Sequence, residues 1–137
     1  MPSDKSANSR RRPRRAVAAV ELAVCLPAIV LLVFATIESC TMIFVTQGMH
    51  AATYEGARLA IQKKADTTQA IQRTQGILDG HGIAGATIRC EPADVTTAVP
   101  GDLVAVVVSA PCSANRISPV FLFGGQNLEV RTTMAKE

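Results

Sequence analysis

The stretch RRRPRRAVAAVELAVCLPAIVLLVFATIESC, residues 10–40, sets five arginines directly against a long apolar run that carries one early carboxylate, Glu21. The apolar character continues to residue 46, and between residues 22 and 46 the only charge is Glu38. About 20 residues cross the hydrocarbon core of a bilayer, so this run is long enough to span it. The apolar part of a cleaved secretory signal is shorter, roughly 7–15 residues. The run is therefore read as a single transmembrane helix, residues 17–46. Pro27 is expected to kink it rather than end it.

The charge distribution orients that helix. Residues 1–16 hold Lys5 and five arginines against Asp4, a net charge of +5, whereas residues 47–137 carry eight bases and eight acids. The basic character belongs to a leader and not to the body. The positive-inside rule then places residues 1–16 in the cytoplasm and residues 47–137 outside. The leader has no aromatic residue to stack on bases, so nucleic acid is not an expected partner. Residues 1–9 are polar and read as unstructured.

Past residue 46 the pattern turns amphipathic with no helix breaker. Val45, Met49, Ala52, Gly56 and Leu59 recur at helical spacing, so the helix is expected to leave the membrane and continue. Gly48, Ala52, Gly56 and Ala60 recur every four residues and form a ridge of small side chains that another backbone can approach. Two glycines in a helix cost roughly 1 kcal/mol each relative to alanine, which points to a packing requirement. The expected partner of the ridge is the domain's own sheet or a neighbouring subunit.

ADTTQAIQRTQGILDG, residues 65–80, predicts a second helix capped by Asp66 or Thr67 and ended by Gly80, with Ile71, Ile77 and Leu78 on its buried side. DGHG, residues 79–82, is a turn signal. The period then becomes two. ATIRC, residues 86–90, places Ala86, Ile88 and Cys90 on one face. LVAVVVSA, residues 103–110, is apolar on both faces and reads as the central strand, and LEVRTTMA, residues 128–135, alternates again. The connections at residues 91–102 and 111–126 read as loops, the second with a small apolar patch at residues 120–123. The expected fold is α+β: a long N-terminal membrane helix continuing into a small extracytoplasmic domain with a second helix and about three antiparallel strands.

No catalytic constellation emerges. His50 and His81 lie apart from any ligand-spaced cluster, and no phosphate-binding loop, nucleophile elbow or metalloprotease helix is present. Asp94 and Asp102 share a loop and read as solvated charges. No enzyme activity, cofactor or metal is expected. Of the four cysteines, Cys25 and Cys40 fall in the apolar run and read as small packing residues. Cys90 and Cys112 lie where a disulfide can persist. A hairpin of the two strands sets them at opposite ends, so a bond requires the chain after Pro111 to fold back.

Glu21 remains. It follows Ala16 by five residues in A-V-A-A-V-E. A carboxylate near the membrane boundary needs a partner, and the amine freed by cutting between Ala16 and Val17 of an adjacent copy would supply one. The basic leader, AVAAVELAVCLP at residues 16–27, IES at residues 37–39 and AATYEGARLA at residues 51–60 together resemble the TadE-like pseudopilins of tight-adherence, Flp-type pilus systems. The resemblance implies a bacterial inner-membrane protein processed by a prepilin peptidase and working with other pilin-like subunits and Tad assembly proteins. The E-G-A-R block, Glu55 to Arg58, is read either as helix packing, with Glu55 and Arg58 spaced to pair on one face, or as a contact for other assembly proteins; Gly48 and Ala52 enter as possible packing or partner contacts through the small-residue ridge alone. Ala16 departs from the glycine commoner at the cleavage position. The competing reading is a permanently anchored extracytoplasmic binding module whose arginines serve topology alone.

Overall fold

The computed structural model describes residues 11–117 and 125–137, with side chains from Ala16 onward. The leader residues 1–9 and the apolar patch at residues 120–123 lie outside the described residues. Helix α1 runs Arg11–Ala60 and passes through Pro27. Helix α2 runs Thr67–Gly80. Strands β1 (Thr87–Glu91), β2 (Leu103–Pro111) and β3 (Asn127–Ala135) form one antiparallel sheet in the order β1-β2-β3. The α+β expectation holds.

The chain divides into two compact units, Met1–Thr36 and Ile37–Glu137, and the division falls inside α1. It lies ahead of residue 46, within the stretch read as membrane-spanning. The reason is that Glu38, Met42 and Val45 are buried in the second unit although they belong to the apolar run. In the first unit Val17, Val20, Leu22, Val24, Leu26, Ile29, Leu31 and Leu32 are all at least half exposed. No described residue covers them, and this is the one helix among the described residues long and apolar enough to cross a membrane. The Thr36 hydroxyl donates to the Leu32 carbonyl at 2.8 Å, which satisfies it without water.

In the second unit α1 and α2 cover one face of the sheet. Val45, Met49 and Ala52 of α1 meet Leu78 and Ile83, and beneath them Val108, Ala110 and Val130. A second cluster joins Ala57, Ala60 and Ala70 to Cys90, Val95, Val104 and Val106. The predicted face of α1 is buried through Gly56, while Leu59 is half-buried and Ala60 takes the inward place. The Thr53 and Thr132 hydroxyls bond at 2.8 Å across the helix–sheet seam.

Two readings of α2 need correction. Its fully buried residues are Ala70, Thr74 and Leu78, while Ile71 and Ile77 flank the contact half-buried. Small residues win because α2 lies close against α1. Its terminator is Gly82 rather than Gly80. Gly82 adopts φ 67°, its N–H bonds to the Asp79 carbonyl, and the Ile83 N–H bonds to the Leu78 carbonyl. These are the paired bonds of a helix ended by a left-handed glycine, and they deliver Ile83 into the core beside Leu78. At the other end, the Asp66 carboxylate accepts from the Thr68 N–H at 3.2 Å. Thr67, the alternative cap, instead accepts from the Val95 N–H. That bond pins a 3-10 turn, Val95–Thr97, inside the connection read as loop, with Val95 fully buried.

Strand β2 is buried on both faces, as its composition predicted. On the face away from the helices, Ala105 and Val107 are 1% and 2% exposed with no helix above them. Their cover is ionic. Arg89 of β1 pairs with Glu129 of β3 at 3.4 Å, and Arg131 of β3 pairs with Glu91 of β1 at 2.8 Å. Arg89 and Arg131 both stand opposite Val107 in the register. The two pairs therefore cross over β2 on parallel diagonals, one two residues along from the other, and the arginine stems shield apolar surface beneath charged ends.

Cys90 and Cys112 are both free and buried, so the disulfide is not formed. The register seats Cys90 opposite Val106, and Cys112 follows the end of β2 in a 3-10 turn, Cys112–Ala114. Six residues of extended strand separate the two levels by about 20 Å, far beyond the reach of a disulfide. Burial pushes the Cys90 thiol up from its ordinary value, which further disfavours the thiolate. Native protein should thus alkylate Cys90 and Cys112 slowly, and unfolding without reductant should open both to reagent. Outer cysteines that stay unreactive after unfolding would show a bond instead. The raised pKa also has a sign: its contribution to stability is present below the thiol's unfolded value and is lost as pH rises through the folded value.

Candidate functional site

The residues singled out in sequence fall into three places along α1. Ala16, Val17 and Glu21 lie on the exposed helix of the first unit, with Val17 57% exposed. No residue of the described first unit buries Glu21, so its environment is set by what surrounds this helix. Glu38, toward the C-terminal end of the run, is by contrast 1% exposed within the second unit.

The glycines of the small-residue ridge meet α2 and the turn that follows it, whereas Ala52 and Ala60 join clusters that include the sheet, one of the two expected partners. A Cβ built on Gly56 would overlap the Thr74 hydroxyl oxygen and sit 3.5 Å from the Ala70 carbonyl. A Cβ on Gly48 would lie 2.9 Å from Ile83 Cδ1 and 3.2 Å from His81 Cγ. Ala52, between the two glycines, and Ala60, one turn beyond Gly56, are fully buried. Each glycine thus matches a specific neighbour, and the ridge is occupied inside its own domain. The glycine cost in helix propensity is offset by a close helix–helix approach.

Glu55 lies beside this contact. Its Oε2 is 3.9 Å from Arg58 Nε, the pairing expected from spacing, and 3.8 Å from a guanidinium nitrogen of Arg73 on α2. Both arginines are more than half exposed, so each pair contributes little, about 0–1 kcal/mol. In E-G-A-R the glutamate bridges two helices, the glycine lets them approach, and Ala57 enters the core. Arg58 keeps its side chain 60% exposed.

The loop carboxylates serve their own backbone. Asp94 Oδ1 accepts from the Thr96 N–H at 2.9 Å and the Thr96 hydroxyl at 2.6 Å. These bonds hold its carboxyl below the usual range. Asp102 Oδ2 accepts from the Val99 N–H at 3.0 Å.

Sequence reasoning passed over Lys136. It is 8% exposed, and its Nζ donates to the carbonyls of Ala60 at 3.0 Å and Val95 at 3.3 Å. Ala60 is the last residue of α1, whose terminal carbonyls lack partners within the helix. A lysine two residues from the chain end carries no motif; its only sequence signal is that it follows an alternating strand.

Residues 16–58 match the model of a family described as TadE-like protein. The match begins at Ala16 and ends at Arg58, so it covers the apolar run and the E-G-A-R block and leaves α2 and the sheet outside. This bears out the resemblance drawn from those motifs. No curated protein and no solved structure matches the chain.

Proposed function

We propose that the chain is a pilin-like structural component of a tight-adherence pilus assembly or secretion system. The match of residues 16–58 to the TadE-like family carries this reading. The leader stands in the cytoplasm, α1 crosses the bacterial inner membrane once, and the α+β unit faces the periplasm. A prepilin peptidase cuts between Ala16 and Val17 and removes the arginines. The freed amine of one copy then pairs with Glu21 of the next, which gives the lone early carboxylate a partner in lipid. Other pilin-like subunits and assembly proteins are its partners, and no catalytic step is assigned to it.

The reading is supported by the exposure of the first unit: Val17 through Leu32 present apolar side chains outward, and lipid or neighbouring helices are the surroundings that make such a surface stable. Intact mass spectrometry of protein from cells that carry the matching peptidase tests it. The expected mature chain begins at Val17. A start at Met1 would favour the permanently anchored binding module and end the prepilin reading.

A further inference from the structure

A cavity of about 280 Å³ opens at one end of the second unit, lined by Thr41, Phe44, Val45, His81, Gly82 and the stretch from Ala114 to Ile117. The Phe44 ring meets His81 edge-on at 6.0 Å. Around it stand large apolar side chains that the domain leaves outside: Ile43 is 58% exposed, Phe44 56% and Ile117 79%. The cavity walls come from three places, α1, the turn after α2 and the turn after β2. The Asn115 amide ties the last two, with Oδ1 accepting from the Ala84 N–H at 2.8 Å and Nδ2 donating to the Ala84 and Pro111 carbonyls. The rim is therefore held in place by its own backbone.

Its position in the chain says what covers it. Thr41 and Phe44 lie in the last turns of the apolar run, and about 20 residues counted outward from Leu22 reach Thr41. This end of the unit is consequently the one at the membrane surface. We propose that the rim formed by Ile43, Phe44 and Ile117 seats the domain in the outer-leaflet interface of the membrane, with Arg116 and His81 at headgroup level. The inference rests on the membrane anchoring of α1. The chemistry suits that level: aromatic rings with polar neighbours favour it, and apolar faces there sink about 5–10 Å into the headgroup and acyl boundary. The domain would then stand on the bilayer in a set orientation rather than swing from a tether.

The chain contains no tryptophan, so single reporters can be read without background. Full-length protein carrying Ile117→Trp, Phe44→Trp, Leu103→Trp or Val30→Trp is placed in phosphatidylcholine vesicles, with and without lipid brominated near the headgroup end of its acyl chains. Leu103 is 69% exposed and lies at the far end of β2, about 27 Å along the strand from Pro111. Bromine should quench Ile117→Trp and Phe44→Trp by at least about half as much as Val30→Trp, a depth matching interfacial seating, and should spare Leu103→Trp. Reporters at Ile117 and Phe44 as unquenched as Leu103, beside a quenched Val30, would overturn the inference and leave the anchor standing; a second copy covering the rim gives that result. Quenching at Leu103 equal to that at Ile117 would also overturn it. An unquenched Val30 would remove the anchor itself, and this inference with it.

Discussion

Lys136→Met lowers the melting temperature of the full chain in detergent by about 10 °C, the scale set by a loss of about 2 kcal/mol in a unit of this size. Methionine keeps the buried stem and deletes the charge with its two donors. The Ala60 and Val95 carbonyls lose bonds of 3.0 and 3.3 Å from a nearly buried ammonium. Hydrogen bonds to a charged group contribute about 1.5–3 kcal/mol. A cation at a helix C-terminus adds about 0.3–1 kcal/mol and more when partly buried. Neighbouring backbone bonds survive the change: the Lys136 N–H still reaches the Asp102 carbonyl at 2.8 Å, and the Glu137 N–H the Ile61 carbonyl at 3.1 Å. The loss therefore reports the side chain alone. Lys64→Met, at an exposed lysine, serves as control and should melt with the wild type. A Lys136→Met protein melting within a degree or two of that control would show that the ammonium only decorates the helix end.

Gly56→Ala should destabilise the same unit although alanine is the better helix former by about 0.8–1 kcal/mol. The added Cβ has no room, because the Thr74 hydroxyl occupies its place. Thr74 is itself held: it is fully buried, and its hydroxyl donates to the Ala70 carbonyl at 2.8 Å. Overpacking of this kind costs about 1–3 kcal/mol, so the net loss should be about 1 kcal/mol or somewhat more. The decisive measurement is the double-mutant cycle. With Thr74→Ala the oxygen is gone, and the nearest remaining atoms are the Thr74 Cβ at 3.4 Å and the Ala70 carbonyl at 3.5 Å. In that background Gly56→Ala should become neutral or stabilising, a coupling of about 1–2 kcal/mol. If Gly56→Ala costs the same with and without the Thr74 hydroxyl, the ridge is not fitted to α2.

Such a coupling would separate two roles in E-G-A-R. Its glycine and alanine are occupied inside the domain, whereas Arg58 keeps most of its side chain in solvent. Any contact this block makes with another assembly protein therefore falls to the exposed arginine and its neighbours on the outer face of α1. The small residues are already used.

The sequence by itself determined the features that arise from local pattern. The apolar run makes a helix long and apolar enough to cross a membrane because hydropathy sums residue by residue along a local stretch. Alternation at residues 128–135 makes a strand because neighbouring side chains point to opposite faces. The continuous apolar run at residues 103–110 identified the central strand, since only a strand covered on both sides can be so composed. The spacing of Gly48, Ala52, Gly56 and Ala60 announced a close contact, as the repeat lines small side chains along one helix face.

Only the tertiary structure decided what those surfaces meet. Gly56 meets Thr74 and the Ala70 backbone, and Gly48 meets Ile83 and His81; no property of these residues says so in isolation. Gly80 and Gly82 both punctuate the end of α2, and the choice of Gly82 follows from Ile83 having to reach the core beside Leu78. Val95 looked like part of a loop because its anchor, the Thr67 hydroxyl, lies 28 positions away. Arg89 and Arg131, with Glu129 and Glu91, cover Val107 and Ala105 from strands on either side of β2. Lys136 reaches across 76 positions to the end of α1. Each of these contacts depends on closing a long loop, and its value exists only once the sheet and helices are in register. Local composition carries no trace of such a contact beforehand.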